Sequence, residues 1–522
     1  MSRAPAASQV LATTNRHALG ESWLPFALAG VAFLVHMLVA GNYGYFRDEL
    51  YYIAAGHHLA WGYVDFPPFI AAQAAVMDRL TADNLIALHL LPALAGALLV
   101  LLTGLMAREF GGGPFAQGLA ALAGLTAVVY LAIGSIFSMD AWDELWWTLA
   151  AYLLVRAVRR DQPRLWLLFG AVAGIGLLTK LTILFFGLAL VIGLLATPRR
   201  GDFRTRWPWM AGVIAAMLFL PFVAWQFANG LPSLEFWLHY GSNHSTGISP
   251  FGFLFEQAYT MNPLTLPLWI AGLYFLLRSG AGKPYRFLGW TFAVLWVMFT
   301  LLHAKSYFLA PAYTFLFAAG AVTFERAWAL PGRRWLRPVY TTLLLALGLF
   351  LAPVGMPILP PSTWTHVYSF LGGDAGAQQD PHQTGILPQW LADRFGWQTT
   401  TTTVTGVYAA LPASDRAQAC IYTLNYGEAS ALAFFGPAAQ LPPAISGHNN
   451  FWLWGPGSCT GQVLITVGVP QSDLRSSFGS ITPAATVTCN YCMPEEDNIP
   501  IFVVRDPKLP IGALWQGAKH FN

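Results

Sequence analysis

A pair of acidic residues just after the first apolar stretch offers the clearest catalytic chemistry in the sequence. Arg47, Asp48 and Glu49 open a segment through His58 in which apolar residues recur with helical spacing. A carboxylate held there suits a general base that takes the proton of an acceptor hydroxyl, and we expect this role for Asp48. Glu49 faces another direction on the helix and is expected to position the acceptor or a metal. A cap on the first helical turn is the competing interpretation of Asp48.

A second acidic group precedes another apolar stretch. Asp140, Asp143 and Glu144 lie within five positions of one another, and three carboxylates are more than a helix cap requires. We interpret Asp140 as the functional member and Asp143 as a cap. The candidate catalytic residues are therefore Asp48, Glu49 and Asp140.

Scarce cations supply the complementary charge. Lys180 and Lys305 stand in short loops between apolar stretches, and His303 lies two positions before Lys305. Snorkelling of lysine to lipid headgroups is the competing interpretation. With Arg47, we expect these residues to bind a phosphate. A phosphate leaving group needs cationic stabilisation more than protonation, so one carboxylate and a few cations suffice to displace it from a sugar carbon with inversion.

The elements that must hold these residues are membrane helices. Of the 522 residues 56% are hydrophobic and 10% are charged, which excludes an ordinary soluble chain. A bilayer span needs about 20 mostly apolar residues, and eleven stretches qualify, centred near residues 24–41, 85–107, 115–134, 143–157, 165–179, 182–197, 208–228, 263–278, 287–302, 307–325 and 338–356. The segment from Asp48 to His58 is too polar to span and too aromatic for water, so we predict a helix lying in the membrane interface.

The basic residues predict the orientation of these spans. Residues 1–356 carry 22 Lys and Arg, and 18 of them fall in alternate loops, including Arg3 and Arg16 of the N-terminal tail. Because cytoplasmic loops retain basic residues, we predict a cytoplasmic tail over residues 1–23, a transmembrane module over 24–356 and an outer domain over 357–522. The opposite face keeps Arg47, Arg79, Lys180 and Lys305.

The outer domain has its own composition and period. It carries 6 basic and 10 acidic residues. Runs at 419–424, 462–467 and 499–504 predict strands, and segments 427–435 and 471–478 predict helices, so we expect a small α/β domain. Its Glu428, His448, Asn449 and Asn450 lie near aromatic residues, and either sugar binding or ordinary packing would explain them.

The cysteines indicate the compartment of this domain. All of them lie within it, which suits an oxidising environment and disulfide bonding of Cys420, Cys459, Cys489 and Cys492. A local Cys489–Cys492 bridge would leave Cys420 with Cys459, but four cysteines allow three pairings. A metal site is the rival interpretation of the C-x-x-C spacing.

Other classes of function fit less well. The basic residues form no aromatic-interleaved patch, so we predict no nucleic-acid partner. A transporter or flippase for lipid-linked sugars is the alternative function, but transporters place charged sites near the bilayer midplane in repeated halves. A receptor would leave the first-loop motif without a role. We predict no cofactor, although a divalent metal remains possible through His57, His58, His239 or His244.

The motifs around the candidate residues resemble those of bacterial glycosyltransferase family 39 proteins of the GT-C superfamily, which are related to the protein O-mannosyltransferases and the lipid A aminoarabinose transferase. The resemblance rests on segments 47–52, 62–68, 176–180 and 305–313, and extends to 425–429 and 446–450. It implies a GT-C fold, a polyprenyl-phosphate sugar donor such as an undecaprenyl-phosphate sugar, and an active site on the periplasmic face of the bacterial inner membrane.

The resemblance also implies roles for individual residues. Asp48 would be the catalytic residue of the acidic motif, and Lys180 and Lys305 would approach the donor phosphate. We expect substrate binding by Tyr51, Tyr52, Asp65 and Tyr307. The predicted function is therefore inverting transfer of a hexose or pentose from a polyprenyl-phosphate donor to a hydroxyl of a lipid, glycan or protein.

Overall fold

The computed structural model describes residues 22–243, 249–370 and 385–522. Most of the predicted cytoplasmic tail, with Arg3 and Arg16, lies outside these ranges, as does His244.

Up to residue 370 the described chain is helical, with α1 (Leu24–Val39), α2 (Arg47–Gly56), α3 (Phe69–Thr81), α4 (Leu85–Glu109), α5 (Pro114–Thr126), α6 (Val128–Ile133), α7 (Met139–Arg160), α8 (Leu165–Thr179), α9 (Ile183–Leu195), α10 (Trp207–Ala228), α11 (Pro232–Asn243), α12 (Pro250–Thr260), α13 (Leu266–Arg278), α14 (Arg286–Leu301), α15 (Tyr313–Ala327), α16 (Leu336–Gly355) and α17 (Pro361–Phe370).

Each of the eleven apolar stretches is helical. The stretch at 115–134 is split between α5 and α6 at Ala127, whose backbone is extended. Among the described residues, four helices are long and apolar enough to cross a membrane: Leu85–Glu109, Trp207–Ala228, Ser306–Ala327 and Leu336–Gly355. Two more spans qualify if each bent helix pair is counted as one span. These pairs are Ile183–Leu195 with Pro198–Arg204, bent by 108°, and Pro250–Thr260 with Pro263–Arg278, bent by 102°. The count of eleven crossings stays a prediction.

Glycines let the apolar helices approach closely. A Cβ on Gly170 of α8 would lie 2.5 Å from the carbonyl oxygen of Ala211 on α10, and one on Gly272 of α13 would lie 2.1 Å from that of Leu316 on α15. Small residues at such contacts bring backbones together where lipid supplies no hydrophobic drive. The bundle is thereby tight enough to fix the loops at its ends.

Helix α2 is covered by protein on most of its surface. From Glu49 to Gly56 its residues are buried. It packs against α3 on one side and against a helix of the C-terminal domain, α21 (Tyr426–Phe435), on the other. The C-terminal domain therefore contacts this helix, and its predicted position in the membrane interface stays a prediction.

The C-terminal part forms the predicted α/β domain. Between residues 385 and 522 it contains, besides α21, α18 (Gln389–Ala392), α19 (Trp397–Ala410), α20 (Ala413–Arg416), α22 (Asn449–Trp454), α23 (Gln471–Ser477), α24 (Ile511–Gly517), β1 (Ala419–Thr423), β2 (Ala444–Ser446), β3 (Val463–Val467), β4 (Phe478–Val487) and β5 (Ile499–Pro507). The sheet order is β2-β1-β3-β5-β4. Strands β2, β1 and β3 are parallel, whereas β5 is antiparallel to both β3 and β4.

The sheet core comes from β-branched residues in register. Ile421 on β1 pairs with Ile465 on β3, which pairs with Val503 on β5, and all three side chains are buried. This confirms the three predicted strands. The disulfides join Cys420 to Cys459 and Cys489 to Cys492, which is the local pairing that the spacing allowed.

Candidate functional site

A cavity of 530 Å³ lies between the membrane helices and the C-terminal domain. Most of the residues predicted to carry function line it, although they come from distant parts of the chain: Arg47, Asp48, Tyr51, Tyr52, Asp65, Asp140, Lys180, Lys305 and Tyr307. Two predicted residues, Glu49 and His303, are not among those lining it. One cavity therefore holds carboxylates, cations and aromatic rings.

Asp48 is held at the cavity wall by the C-terminal domain. The Tyr426 hydroxyl donates a hydrogen bond to Asp48 Oδ1 at 2.8 Å, and the Arg47 guanidinium lies 3.8 Å from the same oxygen. Burial raises the pKa of Asp48, while Arg47 and the Tyr426 hydrogen bond oppose this rise. A carboxylate whose pKa is raised is a stronger proton acceptor once ionised, which is what a general base requires.

Arg47 joins the first loop to the C-terminal domain. Its Nη2 lies 3.4 Å from Asp393 Oδ2 and its Nη1 lies 4.0 Å from Glu495 Oε1. The guanidinium also stacks over the Tyr426 ring at 5.5 Å. These contacts give Arg47 a role in domain docking, and its predicted role in phosphate binding stays a prediction.

Lys180 and Asp140 form an ion pair inside the cavity. The Lys180 Nζ donates a hydrogen bond to Asp140 Oδ1. Lys180 ends α8 and is 5% exposed, and its ammonium lies 5.1 Å from the Tyr307 ring and 4.7 Å from the Phe308 ring. An ammonium with few water contacts interacts strongly with an entering anion. Asp140 therefore holds the cation that we expect to meet the donor phosphate.

Lys305 approaches the same space from another loop. It caps a short 3-10 helix, Ser306–Ala312, that precedes α15, and it lines the cavity next to Tyr307. The two predicted phosphate lysines thus lie on one cavity although they are 125 positions apart in the sequence.

A polar network closes the side of the cavity nearest the C-terminal domain. Asp65 accepts hydrogen bonds at Oδ1 from Asn450 Nδ2 at 2.9 Å and from the Tyr51 hydroxyl at 3.2 Å. Its Oδ2 accepts from Asn449 Nδ2 at 3.3 Å. Burial raises the pKa of Asp65 to about 7. Asn449 is 1% exposed, and its Oδ1 has no partner among the described residues, so it can accept from a substrate hydroxyl.

Glu49 does not fit the predicted catalytic role. It is fully buried, and its carboxylate accepts hydrogen bonds from the backbone N–H of Phe46 at 2.8 Å and of Phe137 at 2.7 Å. Its Oε1 also lies 2.7 Å from His89 Nε2, which lowers the pKa of Glu49 despite its burial. Glu49 thus caps α2 and connects it to α4 through His89. The helix cap that was the competing interpretation of Asp48 is therefore provided by Glu49.

Asp143 of the second acidic group also has structural partners, and it does not cap α7, which begins at Met139 after Ser138. Asp143 accepts from Thr182 Oγ1 at 2.6 Å and from Trp147 Nε1 at 3.0 Å. It therefore ties the start of α7 to the turn that carries Lys180. His303 is exposed and outside the cavity lining, so its predicted phosphate contact does not fit the geometry.

Sequence reasoning missed several residues that line the cavity. Tyr426 is the most important, because it contacts the candidate base. Its signal in the sequence was its place in segment 425–429, to which the family resemblance extends. Further lining residues that were not predicted are Glu256, Tyr259, Gln389, Trp390 and Asn522.

Comparison with known proteins identifies the class of fold. The family model for dolichyl-phosphate-mannose-protein mannosyltransferase matches residues 65–225. No curated protein matches the chain. The crystal structure of ArnT from Cupriavidus metallidurans bound to undecaprenyl phosphate superposes with a TM-score of 0.57 at 17% identity, covering 95% of this chain and 98% of that one. This chain has the GT-C fold.

The ArnT structure in the apo state gives the same agreement, with a TM-score of 0.57. The oligosaccharyltransferase of Archaeoglobus fulgidus matches at a TM-score of 0.45 and 13% identity, over 81% of this chain and 65% of that one. The superposition on ArnT confirms the GT-C fold that the sequence motifs predicted, and the mannosyltransferase family model matches residues 65–225 of this chain. The apolar helices and the shared fold indicate a membrane protein.

Proposed function

We propose that this protein is an inverting glycosyltransferase that moves a monosaccharide from a polyprenyl-phosphate donor to an acceptor hydroxyl. The observation that carries the proposal is the placement of Asp48, Lys180 and Lys305 on one cavity. A base and two cations, held apart in sequence but together in space, are what this transfer needs. No cofactor is assigned to the reaction.

The proposed step balances without any further reagent. Asp48 accepts the proton of the acceptor hydroxyl as the hydroxyl oxygen bonds to the anomeric carbon of the sugar. The bond from that carbon to the phosphate oxygen breaks on the opposite face, so configuration inverts. Polyprenyl phosphate leaves as an anion, and Lys180 and Lys305 stabilise its developing charge.

Lys180 is well placed to change partners during this step. In the structure it is bound to Asp140. A donor phosphate entering the cavity would bring a second anion to the same ammonium. Because the Tyr307 and Phe308 rings flank that ammonium, the side chain stays near its position whichever anion it meets.

Two observations support a polyprenyl-phosphate donor. ArnT, which shares this fold along nearly its whole length, was crystallised with undecaprenyl phosphate. The cavity of this chain combines lysines with an apolar wall of Val128, Val129, Ala132, Ile133 and Ile136. Such a wall suits the prenyl part of a lipid phosphate, whereas a soluble sugar nucleotide would gain little from it.

We place the protein in the inner membrane of a bacterium, with the cavity and the C-terminal domain on the periplasmic side. The basic loops and the cysteines support this placement, because disulfides persist outside the cytoplasm. The acceptor is a lipid, a glycan or a protein hydroxyl, and it would enter beside the Asp65 network.

Replacing Asp48 with Asn tests the proposal. Transfer would be measured in proteoliposomes with labelled polyprenyl-phosphate sugars as donors. General base catalysis contributes about 10² to 10⁴ to a rate, so we expect a loss of that size in a variant that still inserts and folds. Full activity in this variant would overturn the assignment.

Glu495→Gln provides a matched control. Glu495 is as exposed as Asp48, with 33% against 32% of the side chain accessible, and it also lies beside Arg47. It does not line the cavity. We therefore expect this variant to keep transfer within about threefold of wild type, as for a surface substitution of about 0.5 kcal/mol.

A further inference from the structure

Three ionisable side chains meet at the end of α2 that lies away from the cavity. The ligand atoms of His57, Asp78 and Asp83 all lie within 4.8 Å of one another, and His57 Nε2 is 3.4 Å from Asp78 Oδ2. His57 follows α2, Asp78 lies in the last turn of α3, and Asp83 lies in the turn before α4. The cluster therefore joins three consecutive elements.

Asp83 is the unusual member of this cluster. It is 3% exposed, and its Oδ1 has no hydrogen-bond partner among the described residues. The Tyr45 hydroxyl donates to the Asp83 carbonyl oxygen at 2.7 Å and so fixes the turn. A buried carboxylate oxygen without a donor is costly. The cost rises here because the carboxylate of Asp78 lies next to it.

Either a proton or a cation would relieve this arrangement. Two neighbouring carboxylates and one imidazole provide three ligand atoms that lie within 4.8 Å of one another.

The donor set selects the kind of cation. Imidazole nitrogen with carboxylate oxygen is a set that Zn²⁺ accepts, often with water in the fourth position. Ca²⁺ and Mg²⁺ take oxygen ligands instead. Bonds of about 2.0 Å in a tetrahedral site place ligand atoms about 3.3 Å apart, so the set must contract. His57 and Asp78 can do this because 54% and 41% of their side chains are exposed.

We propose that His57, Asp78 and Asp83 form a zinc-binding site that fastens the ends of α2, α3 and α4 to one another. Asp48 lies at the other end of α2, nine residues or about 14 Å along the helix axis. The ion would therefore not touch the reacting groups. It would fix the helix that carries Asp48, and the proposal does not depend on the nature of the transferred group.

The test uses the full chain in detergent, stripped of metal with a chelator and titrated with Zn²⁺ against a chromophoric competitor. We expect wild type to bind one more Zn²⁺ than His57→Ala or Asp83→Asn does, or to bind it at least tenfold more tightly. Equal stoichiometry and affinity in wild type and both variants would overturn the proposal, as would wild-type protein that binds no Zn²⁺.

His58→Ala is the matched control. His58 is the neighbouring histidine, but its ring stacks on Trp454 at 4.3 Å and it is not part of the cluster. This variant should bind Zn²⁺ as wild type does, and a loss as large as that of His57→Ala would count against the site.

Asp78→Asn covers the case in which replacing the buried Asp83 prevents folding. Its side chain is partly exposed, so the metal-free variant should fold, and it should unfold at the same temperature as metal-free wild type or at a higher one, because a charge beside Asp83 is removed. Zn²⁺ should raise the unfolding temperature of wild type and not that of the variant, because a ligand stabilises only the state that binds it. An equal rise in both would refute the site.

Discussion

The hydroxyl of Tyr426 donates a hydrogen bond to the carboxylate of Asp48 at 2.8 Å, although the two residues are 378 positions apart. Asp48 belongs to the first loop and Tyr426 to the first turn of α21 in the C-terminal domain. The Tyr426 ring also stacks on Tyr51 with ring centroids 4.5 Å apart. The C-terminal domain therefore completes the candidate site instead of only covering it.

Replacing Tyr426 with Phe should shift the pH dependence of transfer. A hydrogen bond to the ionised carboxylate lowers the pKa of Asp48, so its removal raises that pKa. The base must be ionised to act, and the acid limb of the kcat/KM profile should therefore move to higher pH. The measurement is sugar transfer over a range of pH in proteoliposomes.

Tyr491→Phe makes the same chemical change elsewhere in the C-terminal domain. Tyr491 does not line the cavity, and its variant should keep the wild-type pH profile. An unchanged acid limb in Tyr426→Phe would show that the hydrogen bond has no influence on the base.

The Lys180–Asp140 pair predicts non-additive effects on transfer. Lys180→Met removes a cation from the phosphate site, and the loss of one such group costs about 10² to 10³ in rate. If Asp140 acts by holding Lys180, then Lys180→Met combined with Asp140→Asn should lose no more than Lys180→Met alone. A double variant whose losses multiply would instead support the sequence-based prediction that Asp140 is itself catalytic.

Glu496 should make the stability of the protein depend on pH. It is 2% exposed, accepts from Asn425 Nδ2 at 3.0 Å, and has no partner for Oε2 among the described residues. Burial raises its pKa to about 7, although Arg47 opposes the rise. Folding thus favours the neutral carboxyl of Glu496. Its contribution to the free energy of unfolding is complete below about pH 4.5 and is lost as pH rises through about 7.

Glu496→Gln should therefore raise the unfolding temperature at pH 8 and change it little at pH 5. The gain at pH 8 should reach about 3 kcal/mol, because the pKa of Glu496 rises from 4.5 to about 7 on folding and each pKa unit is worth about 1.4 kcal/mol. The exposed neighbour Glu495, changed to Gln, should alter the pH dependence much less, because its charge contributes only a small part of the rise in the Glu496 pKa. The account would be contradicted if the stability gain of Glu496→Gln over wild type were smaller at pH 8 than at pH 5.

Hydropathy was sufficient to locate the apolar helices, and the scarcity of charge was sufficient to select most of the cavity residues. In a chain with few charged residues, those placed away from the basic loops have few reasons to be there. Asp48, Asp140, Lys180 and Lys305 were found in this way, and all of them line one cavity.

The sequence could not separate Asp48 from Glu49. The two are adjacent acids, and only contacts with His89 and Phe137, 40 and 88 positions away, decide that Glu49 is buried. Strand β4 was missed because Gly479 and Pro483 favour a loop. Proline is tolerated there because β4 is the edge strand of the sheet. Such assignments depend on which segments meet, and local patterns do not contain that information.

The two disulfides should contribute unequally to the stability of the C-terminal domain. Cys420 and Cys459 are 39 positions apart, whereas Cys489 and Cys492 are 3 apart. A crosslink stabilises mainly by restricting the unfolded chain, and the chain-entropy relation gives about 4 kcal/mol for the longer loop and about 2 kcal/mol for the shorter. Replacing both cysteines of each pair with Ser, followed by urea unfolding monitored through protease resistance of residues 385–522, should therefore show the larger loss for Cys420 and Cys459. The Cys489–Cys492 bridge lies against Gly396, where an added Cβ would sit 3.6 Å from Cys489 Sγ. An equal loss for the two pairs, or a larger loss for the C-x-x-C pair, would mean that the short bridge stabilises the folded structure around Gly396. Loop length would then not determine its contribution.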